Sequence, residues 1–150
     1  MLLNYKFNEK AYLYKTFAAI VLANKKICDY IDSFEIIMSV PIHKKRYYKR
    51  GYNQSELLAK EITKNFGKIN FRKDMLVKIK NNTAQSTLKK EERLSNVEGA
   101  YKVREEKTLE NKSILLVDDI YTTGNTANEC AKMLKLAKVK EIGILTIAKD

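Results

Sequence analysis

Residues 114–126 read Ile-Leu-Leu-Val-Asp-Asp-Ile-Tyr-Thr-Thr-Gly-Asn-Thr. Asp118 and Asp119 set two carboxylates side by side, and Thr122, Thr123, Gly124, Asn125 and Thr126 follow as a polar loop. Threonine hydroxyls donate hydrogen bonds. Glycine lets the backbone approach an anion closely, and a helix start offers it unpaired N–H groups. Such a loop is suited to cradle a phosphate. The acids repel phosphate but suit hydroxyl groups, which donate to a carboxylate. A ribose bearing a 5′-phosphate meets both halves. The loop lacks the Gly-x-x-x-x-Gly-Lys-[Ser/Thr] string of nucleotide triphosphatases. The bland alternative for the bare acid pair is a solvated strand end followed by a threonine helix cap.

These side chains need a frame. Ile114–Val117 is an apolar run with the length of a buried parallel strand, and an amphipathic run begins near Ala127. In open α/β sheets, ligands sit beyond the carboxyl ends of the strands, so the acids and the loop are expected at the mouth of a site. A further strand is expected over 35–42, ended by Pro41, the one proline of the chain. Residues 43–54 follow as a basic loop entering a helix, and by the same rule they face the same site. Within them Arg46, Lys49, Arg50 and Gly51 are candidates to bind a diphosphate or a nucleic acid. Tyrosines interleaved with these bases suit stacking on single strands. The alternative is a solvated basic loop.

Elsewhere the apolar spacing predicts one helix over 9–32 and another over 55–66, with Gly67 as its stop. Short strands are expected at 75–79 and 100–103, a charged turn at 104–112, a helix at 126–138 and a last buried strand at 142–148. Residues 83–99 are polar and irregular, as lids often are; Lys89, Lys90 and Arg93 would reach a phosphate on closure. The expected architecture is one α/β domain over 1–150, a mainly parallel sheet flanked by helices, with 1–33 as its N-terminal helical segment.

Composition narrows the partners. The 150 residues hold 29 basic and 18 acidic side chains, a net charge of +11. That favours anionic partners, nucleic acid or phosphorylated small molecules, although a lysine-rich proteome gives the same balance. No apolar run reaches the roughly 20 residues of a membrane span. Met1–Lys10 shows no continuous apolar stretch, so a cytoplasmic protein is expected. Cys28 and Cys130 are expected as buried free thiols. With one histidine and no Cys-x-x-Cys, no zinc site is expected in these residues.

Three blocks carry a family resemblance. Residues 114–126 resemble the phosphoribosyl-diphosphate (PRPP) motif of type I phosphoribosyltransferases. Val40-Pro41-Ile42-His43 with Arg46 and Arg50-Gly51-Tyr52-Asn53-Gln54 form a second block. Thr83-Ala84-Gln85-Ser86 with Leu88, Arg93, Asn96-Val97 and Gly99-Ala100-Tyr101 form a third. Together they resemble the ComF family, phosphoribosyltransferase-like proteins linked to DNA uptake in naturally competent bacteria. The resemblance covers most of 36–148. It departs from the family's common pattern in lacking an N-terminal four-cysteine zinc ribbon.

The resemblance implies a type I phosphoribosyltransferase fold. Asp118 and Asp119 would hold the ribose hydroxyls of PRPP as the catalytic pair. Thr122, Thr123, Gly124, Asn125 and Thr126 would hold its 5′-phosphate, the loop around Arg50-Gly51 its diphosphate, and Lys89–Arg93 would form a mobile cover. Mg2+ would ride on the diphosphate and ribose, with no direct protein ligand named. The implied reaction is a glycosyl transfer from PRPP to a nitrogen acceptor that the motif does not identify. The implied partners are single-stranded DNA and DNA-uptake proteins, with a homodimer by analogy. The alternative is a non-catalytic competence protein that binds single-stranded DNA or a partner through the basic loop 43–52.

Overall fold

The structure is a computed structural model that describes residues 13–82, 96–121 and 123–149. Its frame is a parallel sheet. The strand β1 (Ile36–Ser39) is buried along its whole length and pairs with β2 (Asn70–Phe71) on one side. On its other side it pairs with the central strand, running from Ser113 to Tyr121, with Ile36 beside Ile114 and Ser39 beside Val117. With the antiparallel pair β3 (Leu76–Lys78) and β4 (Tyr101–Val103) counted in chain order, that central strand is β5, and β6 (Glu141–Lys149) closes the order β2-β1-β5-β6.

Apolar side chains on alternate faces of β1 and β5 divide the core. Ile37, Leu115 and Val117 pack with Phe17, Ala18, Val21, Leu58, Ala59 and Ile62. The last six belong to α1 (Leu13–Leu22) and α4 (Gln54–Thr63), so these helices cover one face. Ile36, Met38, Ile114 and Leu116 pack instead with Leu76, Tyr101, Val103, Cys130 and Leu134, which places the β3–β4 pair and α5 (Asn125–Leu136) on the other. Strands buried on both faces read as continuous apolar runs, which is why 114–117 was visible in the sequence. The order of elements is the expected α/β one, helices on both sides of a parallel sheet.

Several expected elements take a different form. The single helix over 9–32 is two helices, α1 and α2 (Lys25–Asp32), among the described residues. Asn24 breaks the run: its backbone is extended, and its side chain accepts a 3.2 Å hydrogen bond from the Ile27 N–H. The basic loop is partly helical, since Lys44–Arg50 form α3. His43 caps its start, Lys49 and Arg50 sit favourably in its last turn, and Gly51 ends it at φ 83°. Helix α4 stops at Thr63, short of the expected Phe66 and Gly67. The strand at 75–79 belongs to a separate antiparallel pair, and the two-residue β2 was not expected at all. Cys28 is only half-buried, whereas Cys130 is fully buried; both are free thiols. Among the described residues no helix is long and apolar enough to cross a membrane.

Candidate functional site

The strand β5 does not end at its acids, as the sequence suggested. It continues to Tyr121 because β6 keeps pace with it, pairing Asp118 with Thr146 and Ile120 with Ala148. Successive side chains on a strand alternate faces, so Asp118 follows Leu116 toward the hairpin and α5, and Asp119 follows Val117. Asp119 is buried, 8% exposed, and its Oδ1 accepts from the Ile120 N–H at 2.9 Å. The Oδ1 of Asp118 accepts from the Asp119 N–H at 2.9 Å and from the Ser55 hydroxyl at 3.2 Å.

The loop beyond β5 turns sharply into α5. Gly124 makes the turn at φ 78°, where an L side chain is strained, and it is the N-cap of the helix. The Tyr121 hydroxyl lies where a Cβ on Gly124 would sit, so no larger residue fits without movement. Thr123 directs its Oγ1 into the interior, where it has no hydrogen-bond partner among the described residues. Thr126, in the first turn of α5, hydrogen-bonds with the Tyr101 hydroxyl of β4. Thr122 lies outside the described residues.

The second block of site residues arrives on α3 and the start of α4. Lys44, Lys45, Tyr48 and Lys49 are exposed, with Tyr48 at 82%, whereas Arg46 and Arg50, one helical turn apart, are half-buried. The helix therefore separates its cations into an outward group and an inward pair. Burial, and then the charge of Arg50, holds Arg46 below the usual guanidinium range. Arg50 donates from Nη1 to Gln54 Oε1 at 2.9 Å. Asn53 caps α4 by accepting from the Ser55 N–H at 3.2 Å, and it donates from Nδ2 to the Val40 carbonyl at 2.9 Å. Asn53, Gln54 and Ser55 are all buried polar residues.

The hairpin supplies a third side. Lys78 of β3 lies over the Tyr101 ring, 5.4 Å from its centroid, an attractive arrangement for a cation. Burial, with the nearby charge of Arg46, lowers the pKa of Lys78. Burial raises the Tyr101 hydroxyl far above its usual range, so it stays neutral. The thiol of Cys130 is likewise pushed up, by burial first and then by the negative charge of Asp118. The ends of the hairpin are clasped: Lys80 Nζ donates to the Glu98 carbonyl at 2.8 Å, and the Gly99 N–H donates to Glu129 of α5 at 2.9 Å. Lys89, Lys90 and Arg93 fall outside the described residues.

Carboxylates, a buried threonine hydroxyl at a glycine turn, and half-buried cations thus converge at the carboxyl end of β1 and β5. The same stretch carries the family signal: residues 42–150 match the family model described as the phosphoribosyl transferase domain.

The chain belongs to the phosphoribosyl transferase domain family.

The domain is 28% identical over 149 residues to "Competence protein F" of Haemophilus influenzae, covering 97% of this chain and 65% of that protein. It is 31% identical to "Competence protein ComFC" of Bacillus subtilis over 81% of this chain and 47% of that protein. The chain therefore spans less than two thirds of the length of these relatives. A solved structure of a glutamine PRPP amidotransferase from B. subtilis shares the fold, with a TM-score of 0.53 and 16% identity over 93% of this chain and 26% of that one. The chain has the type I phosphoribosyltransferase fold, a parallel sheet flanked by helices, and is similar in sequence to these competence proteins.

In this phosphoribosyl transferase domain, Asp118, Asp119, Thr123, Gly124, Asn125 and Thr126 stand together at the β5–α5 turn, and Arg46 and Arg50 face inward nearby. Lys49 lies on the exposed side of α3. Sequence reasoning gave no role to Ser55, Gln54, Lys78 or Tyr101. Gln54 and Tyr101 lay inside the matching blocks, so a signal existed for them. Lys78 gave none, because the pairing that brings β3 to the site is not written in local spacing.

Proposed function

We propose that the domain binds PRPP together with Mg2+ at the carboxyl end of β1 and β5. Asp118 and Asp119 take the ribose hydroxyls. Residues 122–126 take the 5′-phosphate, with the buried Thr123 hydroxyl and the first N–H groups of α5 as donors. Arg46, Arg50 and the Gly51 turn meet the diphosphate, and Lys89, Lys90 and Arg93 form its cover. The observation that carries this proposal is the Thr123 Oγ1, a buried donor without a partner among the described residues, at a glycine turn beside two carboxylates. A buried hydroxyl left unsatisfied costs stability, and a phosphate oxygen would satisfy it.

The donor set suits Mg2+, a hard cation that prefers oxygen and keeps ligands from its substrate. Among the described residues no three His, Cys, Asp or Glu side chains form a cage; the metal would ride on the diphosphate and ribose, with Asp118 and Asp119 acting through the ribose hydroxyls they hold. When bound, the metal supplies charge neutralisation for the departing diphosphate. In the proposed transfer, a nitrogen acceptor bonds to C1 of the ribose as the C1–O bond to diphosphate breaks. The residues act by positioning the ribose and by stabilising negative charge on the leaving group.

Calorimetric titration with PRPP and Mg2+ tests the proposal. We expect saturable heat with the unsubstituted protein and none with Asp118→Ala/Asp119→Ala. Silence in both would refute it. A screen of bases for diphosphate release would then identify the acceptor.

A second function is favoured by one observation, the outward cations and exposed tyrosine of α3. Lys44, Lys45 and Lys49 with Tyr48 offer charge and a stacking face to single-stranded DNA, compatible with a cytoplasmic role in DNA uptake. Because Arg46 and Arg50 face the other way, the two ligands need not compete.

A further inference from the structure

We propose that Ser55 is a positioning residue for Asp118, fixing the carboxylate that meets the ribose; the inference rests on the PRPP reading of the site. Two donors converge on one oxygen of Asp118. One is the strand's own backbone, the Asp119 N–H at 2.9 Å; the other is the Ser55 hydroxyl at 3.2 Å, carried by a different element. A carboxylate held from two directions cannot rotate freely about its terminal torsion. Its geometry is thus set before a ligand arrives, and preorganisation of this kind raises affinity by lowering the ordering cost.

The hydroxyl is itself held in place. Ser55 is 4% exposed, and its N–H is capped by Asn53, whose amide is bonded to the end of β1 at the Val40 carbonyl. The intervening Gln54, 2% exposed, accepts from Arg50. Three consecutive buried polar residues at the start of α4 therefore join the end of β1, an inward arginine and an acid of β5. Packing alone would be served by alanine at position 55. A buried hydroxyl needs a partner, and here the partner is a proposed ligand-binding group.

The test is titration of the full 150-residue chain, as the unsubstituted protein and as Ser55→Ala and Ser55→Thr. Each is titrated with PRPP and Mg2+ and, separately, with inorganic diphosphate and Mg2+. Loss of a hydrogen bond to a charged group predicts that Ser55→Ala weakens PRPP binding by about tenfold. Ser55→Thr, which restores the hydroxyl, should recover most of that loss. Diphosphate has no ribose, so its affinity should be the same in all three. Unchanged PRPP affinity in Ser55→Ala would overturn the inference and leave the ligand reading standing. So would equal weakening of PRPP and diphosphate, which marks a general disturbance of the site. Absence of PRPP heat in the unsubstituted protein would overturn both. Should thermal melting show that Ser55→Ala is unfolded at the titration temperature, Ser55→Cys takes its place. It retains the volume but weakens the donor, and PRPP affinity equal to that of the unsubstituted protein would overturn the inference.

Discussion

Gly124 meets two constraints at one position. Its φ of 78° is in the left-handed region, and the Tyr121 hydroxyl fills the place of a Cβ. For Gly124→Ala the first constraint costs about 1–2 kcal/mol. Crowding adds about 1–3 kcal/mol. Urea unfolding should register the sum, and Tyr121→Ala in the same chain should recover only the crowding part relative to Tyr121→Ala alone. Full recovery would show that the backbone at 124 carries no strain. The glycine was legible in the sequence because its neighbours, from Asp118 to Thr126, form a recognisable motif. The tyrosine was not. Its role depends on β5 running on past the acids, and that depends on β6, more than twenty residues later, keeping pairing partners beside it.

The elements that hold the site are legible to different degrees. The buried strand 114–117 announces itself by its apolar run, and the helices by their spacing. The break at Asn24 does not, since apolar residues keep a helical rhythm through it and the cap is a local hydrogen bond. The start of α4 shows how such caps stabilise the site. Asn53→Ala removes the cap, at about 1 kcal/mol. It also leaves the Val40 carbonyl without the Asn53 amide, at about 1–3 kcal/mol. Asn53→Asp keeps the cap acceptor and loses only the donor, so its denaturation midpoint should fall between those of the unsubstituted protein and Asn53→Ala. Glu35 ties the lower ends of β1 and β5, accepting from Lys112 Nζ at 2.8 Å and from the Ser113 N–H at 3.0 Å. The Lys112 hydrogen bond, then that of Ser113, lowers its pKa below the ordinary 4.5. A carboxylate depressed in the folded state adds stability above its unfolded pKa and loses it as pH falls through the folded value. Glu35→Gln should therefore destabilise at neutral pH and show a shallower loss of stability below pH 4.5, followed by urea midpoints across that window.

At the scale of the whole molecule, the +11 charge has two explanations, and they predict different salt behaviour. If it reflects only a lysine-rich proteome, the positive charge is spread over the surface and no patch dominates. If α3 engages single-stranded DNA, three exposed lysines and an 82%-exposed tyrosine act together at one place. Each phosphate neutralised on a single strand changes the slope of log affinity against log salt by about −0.7. The triple variant Lys44→Gln/Lys45→Gln/Lys49→Gln should therefore flatten that slope by about 2 in fluorescence titrations of a labelled single strand. Tyr48→Ala should lower the affinity by about 1–3 kcal/mol with the slope unchanged, because stacking releases no counterions. PRPP affinity should be nearly unaffected in both variants, since Arg46 and Arg50 lie on the inward side and outward charges are screened within about 10 Å at 0.1 M salt. A slope that stays the same in the triple variant would mean that the basic surface acts diffusely. A PRPP affinity that falls in parallel with DNA affinity would mean that the two faces of α3 serve one ligand, and the inward and outward cations would then have to be read as a single site.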